Sequence, residues 1–224
     1  MVSGRRSAPA RQDENTAPRR ADAERNIAAI IAAGLELFGR EANVSMADVA
    51  RAAGLGRVTV YAHFPSRADL VEALMRHAIA EAEQAMDAGL TALADERGDQ
   101  PGGQSADRLA DQVLAGLIGS TWSVLQRHRR LRRHALADLG PERLHEYHDP
   151  VRSRMERLIA QGREQGVFRT DLPTDWLVTL TFSLLHTAAD EVEADRLTPE
   201  AVPGLLTATL LSALAPPAGR TVPG

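Results

Sequence analysis

The sequence contains neither cysteine nor lysine, and it has few aromatic residues. Without cysteine, disulfide bonds, cysteine-ligated zinc and a thiol nucleophile are excluded, which fits a reducing compartment. Only 4% of the 224 residues are aromatic, yet 44% are hydrophobic, so the chain has enough apolar material for a sizeable core. The composition predicts a globular protein that folds without covalent cross-links.

Long apolar runs are also missing. Long uncharged stretches include residues 176–189 and 201–219. The first is too short to cross a bilayer, and prolines and glycines interrupt the second. No apolar run of the signal-peptide type occurs at the amino terminus. We therefore expect a cytoplasmic protein that has no membrane among its partners.

Charge is distributed unevenly along the chain. The formal net charge is −4, and all 26 residues counted as lysine or arginine are arginines. Residues 1–80 contain 11 arginines and 9 acidic residues, whereas residues 81–224 contain 15 and 21. This asymmetry permits a nucleic-acid partner for the amino-terminal part, but the asymmetry by itself does not predict such a partner.

Apolar residues recur with the period of an α-helix through most of the sequence. In the first such segment Ile27, Ile30, Ile31, Leu35 and Phe38 form one stripe. No segment alternates with the period of a strand, and no internal repeat occurs, so the pattern predicts an all-α protein. The expected helices are 22–38, 46–53, a short helix near 57–64, 66–93, 106–127, 131–139, 144–166, 174–194 and 199–214, with a loop over 95–105.

The same pattern divides the chain into four parts. Residues 1–21 are expected to be a disordered, arginine-rich arm that either touches DNA or is simply a tail. Residues 22–75 are predicted to form a three-helix domain, and residues 76–215 a larger helical domain. Residues 216–224 are expected to be a flexible tail.

Residues 45–64 have the organisation of a helix-turn-helix. Ser45 stands three residues before Asp48, which predicts a capped helix start. Gly54 suits a tight or left-handed turn, and Val60 is expected to pack inward from a second short helix. That helix leaves a set of polar and basic side chains near its outer side: Arg57, Thr59, Tyr61 and His63.

Those side chains have the chemistry of a DNA-reading helix. A guanidinium binds guanine edges or phosphates, hydroxyl groups bind phosphates, and a threonine methyl group contacts a thymine methyl group. A short protruding helix also fits a major groove about 12 Å wide. Packing of Tyr61 and His63 in a three-helix core is the simpler alternative for those two rings.

The run LELFGREANVSMADVARAAGLGRVTVYAHFPSRADLVEAL, residues 35–74, resembles the tetracycline-repressor (TetR) family of bacterial transcription regulators. The resemblance implies base or phosphate contacts from Arg57, Thr59, Tyr61 and His63. It also implies a phosphate contact from Arg67 and a phosphate at the helix start capped by Ser45. Two departures stand out: Gly56 replaces the usual capping residue of the recognition helix, and Val58 replaces a smaller residue.

The resemblance further implies that the carboxy-terminal part binds a small effector and forms a homodimer through the last two helices, in a four-helix bundle. The mainly apolar candidates for the cavity wall suggest a hydrophobic or aromatic effector. Ordinary core packing is the alternative for each candidate. The candidates are Trp122, Leu125, Met155, Leu158, Trp176, Phe182 and His186.

Three further patterns have a functional and a simpler interpretation. His145 with His148 and Asp149, or His186 with Asp190, has metal-ligand spacing, but a solvated helix surface explains it better because no third ligand is evident. The basic run at 126–134 suits an anion, although a solvated patch is favoured. We therefore predict no bound metal and no cofactor.

These observations favour a ligand-responsive DNA-binding regulator over an enzyme. No phosphate loop, metalloprotease helix, nucleophile elbow or complete catalytic triad spacing occurs, so no enzymatic activity is expected. The expected partners are a pseudo-palindromic DNA operator, a small effector and a second copy of the chain, with repression released by the effector. The alternative is a helical ligand-binding or adaptor protein with weakened DNA recognition, which Gly56 keeps open.

Overall fold

The computed structural model describes residues 16–98 and 106–217, and over these residues the protein is all-α, as predicted. There are seven helices and no strand in the described ranges. None of those helices combines the length and apolar character needed to cross a membrane. The helices are α1 (Thr16–Arg40), α2 (Met46–Ala52), α3 (Arg57–His63), α4 (Arg67–Gly98), α5 (Ala106–Glu164), α6 (Thr174–Glu193) and α7 (Val202–Leu214).

Several predicted boundaries are wrong. Helix α1 begins at Thr16 rather than residue 22, so the expected arm 1–21 is too long; residues 1–15 lie outside the described part. Helix α4 runs to Gly98, into the expected loop, and residues 99–105 also lie outside the description. The division predicted between residues 75 and 76 lies inside α4, as it did inside the predicted helix 66–93, and it stays a prediction. Most of the expected tail, residues 218–224, is likewise not described.

Helix α5 replaces three predicted helices. The separation expected around residues 128–130 does not exist, because this arginine-rich stretch contains no glycine or proline to end a helix. The break predicted at Gly140 does occur: its φ of 83° and ψ of 168° are non-helical, and Pro141 follows. Glycine adopts this positive φ without the steric cost that a Cβ brings, so α5 changes direction there.

Helices α1, α2 and α3 form what we call the head. Its core contains the fully buried side chains Ile30, Val49 and Val60, with Phe38 1% exposed. The same core continues into α4, and α5 contributes Leu131, Ala135 and Leu144 to it. The head is therefore closed on one side by the helix that also builds the carboxy-terminal part.

A second core lies among α5, α6 and α7. Ile159, Leu177 and Leu210 are fully buried in it, and Trp122 donates from Nε1 to the carbonyl oxygen of Pro199 at 3.1 Å. Gly162 lies against the ring of Phe168, where a larger residue has no room. This core holds α6 and α7 against α5.

Candidate DNA-binding surface and ligand cavity

The start of α2 is the reciprocal cap that the sequence predicts. The amide of Asp48 donates to Ser45 Oγ at 3.2 Å, and Asp48 Oδ2 accepts from the Ser45 amide at 3.0 Å. These Ser45 hydrogen bonds, with the charge of Arg51, hold the pKa of Asp48 below its usual value. Ser66 and Asp69 make the same pair of contacts at the start of α4, which the sequence prediction did not include.

The turn between α2 and α3 depends on Gly54. Its φ is 67°, in the left-handed region, as predicted. The amide of Leu55 then donates to the carbonyl oxygen of Ala50 at 2.9 Å. Gly56 is the N-cap residue of α3 and provides no side-chain hydrogen bond to the helix start. The turn directs α3 across the head, with Val60 buried beneath it.

The outer face of α3 brings together part of the predicted DNA-contacting set. Arg57 is exposed, Tyr61 is 49% exposed and Val58 is 85% exposed. Thr59 and His63 are half-buried at the flanks of this face. Among the residues whose side chains the structure describes, Val58 is the most exposed of the large apolar side chains, and the sequence prediction treated it as a departure from the family pattern.

Arg67 has a different environment from the one expected. Its Nε donates to Asp138 Oδ2 at 2.9 Å, and its Nη2 donates to His134 Nδ1 at 3.2 Å. Nη1 donates to the Val44 carbonyl oxygen, and the guanidinium lies 4.7 Å from the centre of the Phe38 ring. Each guanidinium nitrogen thus has a partner inside the protein, and Arg67 links Val44 and Phe38 of the amino-terminal part to α5. The phosphate contact that the resemblance implies for Arg67 stays a prediction.

Helices α4, α5 and α6 enclose a cavity whose wall is largely apolar. We call this cavity, with a volume of about 100 Å³, the inner chamber. Three flexible methionines, Met75, Met86 and Met155, are in its wall. His128 is also in the wall, where its Nε2 donates to Glu81 Oε2 at 2.8 Å. Although burial raises the pKa of Glu81, the hydrogen bond and charge of His128, with Arg127, lower it overall.

The structure places four of the seven expected effector-binding residues in that wall. They are Leu125, Met155, Phe182 and His186. Trp122 and Leu158 pack in the hydrophobic cores instead, and Trp176 is 56% exposed at the start of α6. The sequence prediction missed Arg132, His128 and His148 as lining residues. Arg132 and His128 belong to the basic run at 126–134, and His148 belongs to the pattern of His145, His148 and Asp149.

A second, more polar cavity of about 440 Å³ adjoins the first, and we call it the outer chamber. Arg132, His148, Phe182 and His186 line both chambers. The rings of His148 and His186 meet edge to face with their centres 5.6 Å apart. Burial, with the charges of Arg132 and His148, lowers the pKa of His186 to about 3. This imidazole is therefore neutral at neutral pH.

The histidine spacings singled out in the sequence do not build a metal site in the described structure. Over the described residues there is no group of three or more His, Cys, Asp or Glu side chains arranged to hold a metal ion. His148 Nδ1 donates to the Leu144 carbonyl oxygen at 2.7 Å. Burial lowers its pKa.

The head matches known proteins in sequence. Residues 30–74 match the family model of bacterial regulatory proteins, tetR family. Over 54 residues the chain is 41% identical to the HTH-type transcriptional repressor LfrR of Mycolicibacterium smegmatis. That alignment covers 24% of this chain and 29% of LfrR, so it spans less than a third of the relative.

Solved structures resemble the fold over a much longer range. LfrR from Mycobacterium smegmatis in complex with proflavine matches with a TM-score of 0.58 at 20% identity, over 85% of this chain and 97% of that one. FadR from Bacillus subtilis in complex with stearoyl-CoA matches with a TM-score of 0.62 at 16% identity, over 84% and 98%. At these identities the likeness establishes a shared fold.

Proposed function

Because this chain belongs to the tetR family of bacterial regulatory proteins through residues 30–74, we propose that it is a transcriptional repressor that binds a pseudo-palindromic operator as a homodimer. A small, largely apolar effector releases it from DNA. The main support for the proposal is the outer face of α3, which is exposed, while the buried side chain of Val60 packs the helix against the head. The name of LfrR, a transcriptional repressor, supports the direction of regulation.

Operator contacts are assigned to the outer side of α3. Arg57 binds guanine edges or phosphate, Tyr61 and Thr59 bind phosphates through their hydroxyl groups, and His63 contacts the flanking backbone. Val58 supplies an apolar contact for a thymine methyl group. Ser45 holds the start of α2 against a phosphate, with its own hydroxyl kept in the cap.

The exposed faces of α6 and α7 support the homodimer. Trp176 is 56% exposed on α6 and Leu205 is 50% exposed on α7. The exposed positions Ala208, Thr209 and Ser212 are small, which allows close approach of a second copy. Helix α7 has no charged residue at all. Pairing of these faces across a two-fold axis gives a four-helix bundle and positions two heads for two half-sites.

The inner chamber supports an effector. Proflavine and stearoyl-CoA are the molecules in the two solved complexes, and both carry a large apolar part. Here the chamber is bounded by α4 and α5, the same helices that contact the head. A ligand that shifts these helices changes the spacing of the heads, and a coupling of about 1–3 kcal/mol changes DNA affinity roughly 5- to 150-fold.

Fluorescence anisotropy on the DNA upstream of the protein's own gene tests operator binding. At about 150 mM salt, nonspecific dissociation constants are about 10⁻⁴ to 10⁻⁶ M, so binding at least about 100-fold tighter than to scrambled DNA is expected. Arg57→Ala combined with Tyr61→Ala should remove that preference. Arg157→Ala, at an exposed arginine of α5, is the matched control.

If the upstream fragment is not preferred, selection from sheared genomic DNA locates the operator. Failure to enrich any fragment contradicts the proposal. It favours a helical ligand-binding or adaptor protein instead, a candidate supported by the missing side-chain cap at Gly56.

A further inference from the structure

Arg132 lies at the boundary between the inner and outer chambers and lines both of them. The wall of the inner chamber contains no aspartate or glutamate among the residues that the structure describes. Its polar members, apart from Arg132, are threonines and histidines. The chamber is therefore apolar with one guanidinium at its edge.

The guanidinium of Arg132 is poorly satisfied. Its Nε is buried and has no hydrogen-bond partner, and the guanidinium forms no ion pair within the described ranges. Burial lowers the pKa of Arg132, and the charge of Asp190 offsets part of that effect. A buried donor without a partner is costly, so this group gains from a ligand that accepts its hydrogen bonds.

The neighbouring imidazoles do not compete with Arg132 as cations. His148 uses its Nδ1 proton on the Leu144 carbonyl oxygen, and burial lowers the pKa values of both His148 and His186. In the outer chamber a second guanidinium, Arg152, lies 5.8 Å from the centre of the Phe182 ring. Asp190 is the one acidic residue in the described lining of that chamber. The local charge favours an anion.

We propose that the effector is a small organic carboxylic acid whose apolar body fills the inner chamber and whose carboxylate binds Arg132. A carboxylate accepts two hydrogen bonds from one guanidinium, which gives both charge compensation and orientation. A neutral effector leaves Arg132 unpaired, and a cationic one is repelled by it. The regulatory consequence of this binding rests on the function proposed above.

The size of the chamber limits the apolar body. At about 100 Å³ the inner chamber is smaller than the engineered cavity of about 150 Å³ that admits benzene. The three methionines in its wall adapt their rotamers at low cost, so a single ring or a short aliphatic chain is the expected body. Larger bodies extend past Arg132 into the outer chamber.

Matched probes that differ only in the head group test the proposal. Isothermal titration calorimetry on the full chain without DNA compares phenylpropionate, phenylpropanol and phenylpropylamine, and likewise octanoate, octanol and octylamine, near neutral pH. At least one acid should bind roughly 10- to 100-fold more tightly than its alcohol, as expected for a hydrogen-bonded buried charge, with the amine weakest.

Substitution of Arg132 identifies the group responsible. Arg132→Met should remove the preference for the acid and leave alcohol binding within about threefold of its original value, whereas Arg157→Met should keep the preference. Circular dichroism and thermal unfolding establish that both variants fold. If Arg132→Met does not fold, Asp190→Asn serves instead: loss of that nearby carboxylate should tighten acid binding several-fold and leave alcohol binding unchanged.

Three results overturn the proposal: equal binding of each acid and its alcohol, an acid preference that survives Arg132→Met, or no binding of any probe at about 1 mM. DNA binding by the ligand-free protein is measured separately. If the protein prefers acids but does not bind an operator, the proposed regulator is contradicted. If it binds an operator but does not prefer acids, only the proposed effector class is contradicted.

Discussion

Arg67, at the start of α4, and Asp138 of α5 form a hydrogen-bonded ion pair, with Nε of the arginine 2.9 Å from Oδ2 of the aspartate. His134, on the same stretch of α5, accepts from Arg67 and donates from Nε2 to the Glu41 carbonyl oxygen at 3.0 Å. Arg132, which lines both chambers, lies two positions before His134. The same stretch of α5 therefore contacts both the chambers and the head.

Arg67→Met should lower the stability of the protein rather than remove a DNA phosphate contact. The substitution removes a part-buried, multiply hydrogen-bonded charge, so the free energy of unfolding should fall by about 1–3 kcal/mol. Asp138→Asn should destabilise by a smaller amount. Urea denaturation measures both effects.

The salt dependence of DNA binding separates the two roles of Arg67. A lost phosphate contact reduces the slope of log affinity against log salt by about 1, whereas a structural role leaves this slope unchanged in Arg67→Met. A reduced slope with unaltered stability would restore the phosphate contact expected from the sequence. Arg57→Met serves as the comparison, because Arg57 is exposed on α3 and is expected to reduce the slope.

Gly56→Ser should stabilise α3 and tighten operator binding. Gly56 has an extended conformation with φ −69°. A Cβ added at this position would have Thr59 Oγ1 as its nearest neighbour, at 3.9 Å, so serine fits without strain. Replacing a glycine N-cap by serine is worth a few tenths of a kcal/mol. Thermal unfolding and anisotropy measure the two effects; Gly56→Ala, which adds the Cβ without a cap, is the control and should not match the gain.

Charged substitutions at the exposed faces of α6 and α7 should separate the proposed dimer. Trp176→Glu with Leu205→Glu introduces charges that lose their hydration at an apolar interface. Sedimentation velocity should give a dimer for the original chain and a monomer for this variant. Ile27→Glu, at a comparably exposed apolar position of α1, should remain dimeric. A dimer that survives the double substitution places the interface elsewhere.

Acidification should destabilise the protein through His186. Its pKa falls from 6.5 to about 3 in the folded protein, so the unfolded state binds the extra proton between those values. Above pH 6.5 the imidazole is neutral in both states, and His186 does not lower the free energy of unfolding. Below pH 6.5 this free energy decreases by up to about 1.4 kcal/mol per pH unit.

His186→Phe should therefore show a shallower decrease in stability than the original chain between about pH 6.5 and 5. Urea denaturation across this range measures the decrease. Aspartate and glutamate side chains remain mostly ionised in this range. Burial also lowers the pKa of His148, so His148 lowers the free energy of unfolding on acidification in both proteins. Identical pH dependence of the two proteins would mean that His186 is not held neutral by the fold.

Two glycines of α5 should respond oppositely to alanine. A Cβ at Gly162 overlaps the Phe168 ring, so Gly162→Ala should cost about 1–3 kcal/mol or more. A Cβ at Gly119 meets nothing within 4 Å, so Gly119→Ala should stabilise by about 0.5–1 kcal/mol through helix propensity. Chemical denaturation of the pair tests the close contact, and equal effects would contradict it.

The head was predictable because its features depend on residues close together in the chain. The cap of Ser45 and Asp48 spans three positions, and the turn at Gly54 follows from one residue that tolerates a positive φ. Helical periodicity likewise predicted the all-α fold and placed α2 and α6 within a residue of their observed bounds. Local chemistry and a regular repeat suffice for such predictions.

The cavity and the junction between head and α5 were decided only by tertiary packing. Periodicity indicates that a helix has an apolar stripe, but helices packed on several sides have more than one, and their relative rotation is set by long-range contacts. Trp176 was therefore expected inside and lies exposed, whereas Arg132 was expected on a solvated patch and lies at the chamber edge. Arg67 acquired its role from Asp138, a residue far along the chain that only folding brings to it.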